Sequence, residues 1–266
     1  METVTVRDFT MAIQRQGQGT PALVLVHGFP LDHTMWKYQL AEFSQRHLVV
    51  APDLHGFGKS SRTGGKLTME HMADDLEAML GAAGLEGKIV LIALSMGGYV
   101  ALEFARKYAD RLQGLVLCDT RAGADPPEAA EGRIAMAERV EKEGVLPVVE
   151  AMFPKLIEQS WKKDNPTDAE LLWHMMMSAH PETVAAALRG MAERTDHKQT
   201  LAEINVPALV IVGEHDAITP PAESQSMAKS LPQATLVEIA GAGHMAPLEK
   251  PVEVNNALQE FLTQLS

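Results

Sequence analysis

The chain has 266 residues, 46% hydrophobic and 22% charged, which is enough for one large domain with a deep core and carries no mark of disorder or of a collagen repeat. Its formal net charge of −12 argues against a nucleic-acid partner, because phosphate binding needs clustered Lys and Arg, and it sets a weak long-range bias against anionic substrates. A single cysteine, Cys118, allows no internal disulfide and fits a reducing compartment. The N-terminal stretch lacks a basic region followed by an apolar one, and no run reaches the ~18 apolar residues of a membrane span, so the expectation is a cytoplasmic protein with no membrane partner.

In chain order, Val4–Val6 and Phe9–Gln14 read as an opening hairpin of short strands. Ala22–Val26 (ALVLV) is a continuous apolar run before His27-Gly28, and Leu48–Ala51 is another before Pro52-Asp53. Met69–Ala83 has apolar residues at helical spacing (Met72, Leu76, Met79, Leu80, Ala83), with Thr68 placed to cap its start and Gly84 to stop it. Ile89–Leu94 (IVLIAL) ends at Ser95, a helical pattern follows over Met96–Tyr108, and Leu115–Cys118 ends at Asp119.

From Thr120 to about Thr195 no strand-like run occurs. Glu128–Lys142, Val145–Ile157, Ala169–Met177 and Pro181–Ala192 read as helices, punctuated by Pro126-Pro127 and Asn165-Pro166. Strands resume at Ala208–Val212 and Thr235–Ile239, and a helix over Val252–Leu265 closes the chain. Apolar runs of this kind suit strands covered on both faces. The expected fold is α/β: a doubly wound, mostly parallel, eight-stranded sheet. Its core comprises residues 1–119 and 196–266, and residues 120–195 form a helical cap inserted between two strands.

The chemistry concentrates at Ile92-Ala93-Leu94-Ser95-Met96-Gly97-Gly98. A chain that turns from strand to helix within a few residues holds the serine in a strained conformation, and small residues two positions to either side, here Ala93 and Gly97, avoid a clash. The turn lifts the hydroxyl above the sheet and puts the next amide at a helix N-terminus, where it favours negative charge.

This segment resembles the nucleophile elbow of the α/β hydrolases, with Ala93 in place of the motif's first glycine. The resemblance runs along nearly the whole chain, and the stretch 120–195 matches only as a generic cap. It implies a Ser…Asp…His order. Gly213-Glu214-His215-Asp216 after one strand supplies the acid Asp216, and Gly241-Ala242-Gly243-His244 after the last supplies the histidine His244. Glu214 and Asp119 compete for the acid role, and the family register favours Asp216; the plain reading of Asp119 is that it caps the start of the insertion. Ser95 needs an imidazole to take its proton, and that imidazole needs a carboxylate to hold its tautomer. The resemblance further implies an oxyanion hole made by the Met96 amide and by the Phe29 amide of the His27-Gly28-Phe29-Pro30 loop.

Other signals are weaker. Gly58-Lys59-Ser60 looks like the end of a phosphate-binding loop, but such a loop needs glycine where Asp53 stands. Asp53 reads as a turn residue, His27 and His55 as loop stabilisers, His215 as structural, and Cys118 as a small core residue. There is no zinc or calcium signature, and no cofactor is implied. Trp161, Trp173 and Met176 of the insertion, with Met245, are candidate pocket residues, although packing of the insertion itself explains most of its apolar side chains equally well.

The expectation is a serine carboxylesterase acting on small to medium hydrophobic esters, with a small-molecule ester or lactone as its partner. The chain is also similar to enol-lactone hydrolases and to cofactor-free haloperoxidases and perhydrolases. A dicarboxylic lactone would need cations, for which Arg121, Arg133, Arg139, Arg189 and Arg194 are candidates. A carbon–carbon bond hydrolase fits less well, since Met245 stands where such relatives carry tryptophan, and a non-catalytic receptor on the same scaffold is the reading from outside enzymology.

Overall fold

The structure, a computed structural model, describes residues 1–265. Eight strands form one sheet: β1 (Glu2–Val6), β2 (Phe9–Gln16), β3 (Ala22–Val26), β4 (Val49–Pro52), β5 (Ile89–Leu94), β6 (Leu112–Cys118), β7 (Ala208–Gly213) and β8 (Ala234–Ile239). Their spatial order is β1-β2-β4-β3-β5-β6-β7-β8. The pairs β1/β2 and β2/β4 are antiparallel, and every later pairing is parallel. Every residue of β3, β4, β5 and β7 is buried. That is why their sequences are unbroken apolar runs: both faces lie under helices, so no polar face is left to alternate. β8 at the sheet edge is only partly covered, and its sequence ATLVEI accordingly carries Thr235 and Glu238 at exposed positions.

The helices of the sheet layer are α1 (Lys37–Phe43), α2 (Met69–Ala82) and α3 (Met96–Lys107), and later α9 (Pro221–Ser230), α10 (Ala246–Glu249) and α11 (Pro251–Gln264). α2 packs on α3, and α1 packs on α11. Thr68 caps α2 as expected, its Oγ1 accepting from the His71 amide at 3.1 Å.

Between β6 and β7 the chain forms five helices: α4 (Pro127–Glu143), α5 (Leu146–Leu156), α6 (Gln159–Asp164), α7 (Pro166–Met177) and α8 (Pro181–Ala192). Four were expected. α6 is the addition: a six-residue helix whose start is set by the Glu158 carboxylate accepting from the Ser160 amide at 2.5 Å, and which is too short to show a hydrophobic period. α4 and α8 lie side by side. The insert is fastened to the sheet layer at separate points. The Leu67 amide donates to Ala186 O at 3.0 Å, the Thr183 hydroxyl to Thr63 O at 3.1 Å, and Tyr38 and Lys37 of α1 both reach the Asp168 carboxylate of α7. Among the described residues no helix is long and apolar enough to cross a membrane.

Candidate active site

Ser95 stands between β5 and α3 at φ 54° and ψ −114°, a conformation that side chains other than glycine's avoid. Its surroundings leave the backbone no alternative. The Ser95 amide donates to Cys118 O of β6 at 3.0 Å, and Ser95 O accepts from the Gly98 amide and the Thr120 hydroxyl at 2.9 and 2.8 Å. At Gly97 a Cβ would lie 2.6 Å from Val26 O and 2.7 Å from His27 O. Glycine is therefore required there for the first turn of α3 to press against the end of β3. Ala93 is fully buried at its position in β5.

His244 lies in the loop after β8, and Asp216 in the loop after β7. Paired neighbours β7 and β8 bring the two loops together, and backbone bonds join them: the Glu214 amide to Ile239 O at 3.0 Å and the His215 amide to Ala242 O at 2.8 Å. His244 Nδ1 is 2.9 Å from both Asp216 oxygens, and Nε2 is 2.8 Å from Ser95 Oγ. With a carboxylate facing Nδ1, that nitrogen carries the proton, and Nε2 is left to accept from the serine hydroxyl.

Asp216 also accepts from the Ile218 and Thr219 amides at 2.8 and 2.9 Å and from the Thr219 hydroxyl at 2.6 Å. Burial works to raise its pKa, but the neighbouring His244 and the bonds from His244 and Thr219 outweigh it and hold the carboxyl below its usual range. Thr219 is a contributor the sequence did not disclose.

The competing acids have other work. Glu214 turns outward and accepts from the Gly241 amide at 2.9 Å. Asp119 is fully buried at φ 45°. Contrary to expectation it does not cap the insertion: its Oδ1 accepts from the Gly213 amide at 2.8 Å, bracing the end of β7, because the strand order sets β7 directly beside β6. Burial and the nearby Asp216 and Glu249 push its pKa far above the usual carboxylate value, whereas that of Asp216 is held below it.

The His27 ring holds the loop after β3. Its Nδ1 donates to Gly28 O at 2.8 Å, and its Nε2 accepts from the Leu54 amide at 3.0 Å. Burial lowers its pKa, consistent with a neutral ring in that tautomer. Gly28 O also accepts from the Leu31 amide at 3.0 Å. In a trans peptide the N–H points opposite to the carbonyl, so the Phe29 amide is turned away from His27. The Met96 amide opens α3, where no intrahelical acceptor precedes it.

Asp53 also behaves as a loop residue, accepting from the His33 amide and Nδ1 at 2.9 and 2.7 Å and from the Lys59 amide at 2.9 Å. Asp32, His33 and Asp53 are close enough together to hold a cation, but these bonds already use the Asp53 oxygens, and Asp32 accepts twice from Thr34. His55 stacks on Phe9 at 3.7 Å, and Cys118 is buried. His215 is about half exposed.

The four pocket candidates separate. Met176 and Met245 expose no surface, and Trp161 is 8% exposed, so all three pack as core. Trp173 borders a groove of about 700 Å³ with Phe153, Lys162 and His174. At about 100° per residue, Trp173 and His174 leave α7 on the side away from Asp168, which meets α1, and from Met175, which faces the loops of Pro30 and Asp53. The groove thus opens outward from the insert.

The model of the alpha/beta hydrolase family matches residues 23–257. The chain belongs to the alpha/beta hydrolase family. This hydrolase is similar, at 48% identity and TM-score 0.96 over 99% of its length and 98% of the other chain, to the structure of a thermophilic esterase from Thermogutta terrifontis solved with malate bound. It resembles the enol-lactonase from Burkholderia xenovorans LB400 at 25% identity and TM-score 0.92, over 98% of its own length and 100% of that chain. It is 25% identical to 3-oxoadipate enol-lactonase 2 of Acinetobacter baylyi, over 100% of this chain and 97% of that one.

Proposed function

We propose that this hydrolase is a serine esterase cleaving small to medium hydrophobic carboxylic esters through an acyl-enzyme. The observation that carries the reading is the continuous line from Ser95 Oγ through His244 to Asp216, with bonds of 2.8 and 2.9 Å. Ser95 Oγ attacks the ester carbonyl while its proton passes to His244 Nε2, and Asp216 stabilises the imidazolium. The oxyanion accepts from the Phe29 and Met96 amides. His244 gives its proton to the departing alcohol. It then takes one from water, which attacks the acyl carbon, and returns that proton to the departing Ser95 Oγ as the carboxylic acid is released. The five-helix insert, residues 120–195, serves as the cap over this centre.

The arginines favour an uncharged ester over a dicarboxylic lactone. Arg133 and Arg194 both face Asp125, Arg139 pairs with Glu143, and Arg189 holds Glu141 with two bonds of 2.7 Å. Arg121, the fifth, donates to Ile218 O. Four of the five candidate cations are thus already engaged by carboxylates, Arg133 and Arg194 sharing one. Lactone opening would follow the same steps, and the enol-lactonase relatives keep it as the second reading.

The test is hydrolysis of p-nitrophenyl acetate, butyrate and octanoate by the wild type and by Ser95→Ala. Turnover should fall by at least about 10³-fold in the variant. Turnover that survives Ser95→Ala would remove the serine from the mechanism.

A further inference from the structure

We infer that Glu249 is a positioning residue: it fixes the loop that carries His244 and ties that loop to the helical insert, keeping the imidazole aligned with Ser95. The inference rests on the Ser95–His244 reading above. Glu249 ends α10 and is 4% exposed. Its Oε1 accepts from the Gly243 and Met245 amides at 3.0 and 3.1 Å, the two amides that bracket His244. Its Oε2 accepts from the Glu158 amide at 2.8 Å.

Glu158 lies where α5 passes into α6, and its own carboxylate caps α6. The insert therefore touches the histidine loop at the point where one of its helices starts. Gly243 confirms how close the contact is, since a Cβ there would lie 2.9 Å from the Glu158 amide nitrogen. One side chain thus joins two segments that are distant in sequence.

Three N–H donors on two oxygens call for the ionised form, because a protonated carboxyl would set an O–H against an N–H. Burial holds the Glu249 pKa above the usual carboxylate value, and the three amides and His244 offset it only in part. The charged or titratable groups around it are His244 on its own loop, Asp119 at the end of β6, and Glu158, whose carboxylate is turned to Ser160 and lies 4.0 Å from His215. Asp216 faces the other side of the imidazole. Glu249 is thus a second anion favouring the imidazolium, and it acts through the loop rather than on the substrate. It differs from Asp216 in touching no imidazole nitrogen.

Glu249→Ala removes all three acceptor contacts. Glu249→Gln keeps one acceptor oxygen and turns a donor on the remaining amide. The experiment compares both with wild type by circular dichroism, by the rate of fluorophosphonate labelling at Ser95, by kcat and KM on p-nitrophenyl butyrate across pH, and by the proton NMR signal of the His244–Asp216 bond, which needs no turnover. In folded Glu249→Ala, labelling and kcat should fall about 10- to 100-fold, with KM within about threefold and the NMR signal lost to exchange. In Glu249→Gln the acid limb of kcat/KM should move to lower pH, because an anion near the imidazole is gone. A labelling rate, pH profile and NMR signal matching wild type in Glu249→Gln would overturn the inference. Absence of labelling and turnover in the wild type would instead overturn the esterase reading, while the NMR comparison would still decide the role of Glu249.

Discussion

At Ser95 the backbone holds a conformation that costs of the order of 1–3 kcal/mol, and it persists because bonds from Gly98 and Thr120 and to Cys118 fix it on three sides. Two aspartates near it illustrate how surroundings, not residue type, assign a role. The Asp216 carboxyl is held below its usual range by His244 and Thr219, whereas burial pushes that of Asp119 far up. Asp216→Asn should lower kcat by about 10³–10⁴, since an amide no longer holds the required tautomer. Asp119→Asn should leave kcat within a few-fold of wild type, because an amide oxygen can still accept from Gly213 and asparagine tolerates a φ of 45°. Steady-state kinetics on p-nitrophenyl butyrate would check both, and the opposite order of effects would exchange the two roles.

At the scale of elements, the insert is held by contacts that permit no extra atom. α8 docks on the stretch before α2 through Gly190, where a Cβ would fall 1.8 Å from Leu67 O. The adjoining bond from the Leu67 amide to Ala186 O keeps the two segments at that distance. Gly190→Ala should therefore destabilise the fold by about 1–3 kcal/mol, as overpacking does, and differential scanning calorimetry should show a lowered Tm. The strands were legible because burial on both faces leaves a continuous apolar signature, and Ile89–Leu94 is observed with the bounds its sequence suggests. α1, α6, α9 and α10 were not. Each has ten residues or fewer, too short for a hydrophobic period to emerge over background.

For the whole molecule, acid stability follows from carboxylates held ionised inside the fold. Glu103 of α3 is buried, yet its contacts with His197, Thr195 and Arg106 outweigh that burial and lower its pKa to about 2. A folded-state pKa depressed in this way contributes stability that is fully present above the unfolded value, about 4.5, and is lost as pH falls toward about 2. Asp53, Asp125 and Asp216 act in the same direction. The Glu103 contribution to stability, measured by urea unfolding, should thus be level near neutrality and be lost below about pH 4.5, so that the acid-side fall is shallower in Glu103→Gln. An unchanged slope in that variant would remove Glu103 from the acid transition.

The sequence by itself determined the strand–Ser–helix junction, the sheet's apolar strands and the helical character of residues 120–195. Each of these is local: a period, a run, or a set of small residues around one turn. The family resemblance added the order Ser95, Asp216, His244, but composition and spacing had left Glu214 and Asp119 as rivals. The family register favoured Asp216, and the tertiary structure gives the geometry, because the strand order β6-β7-β8 decides which carboxylate faces the imidazole and which braces a neighbouring amide. Packing likewise decided that Met176 and Met245 are core, that Trp173 lines an outward groove, and that Glu249 reaches both the histidine loop and the insert. Contacts between segments some ninety residues apart leave no pattern along the chain, so a buried carboxylate's partners become visible only once the chain has folded around it.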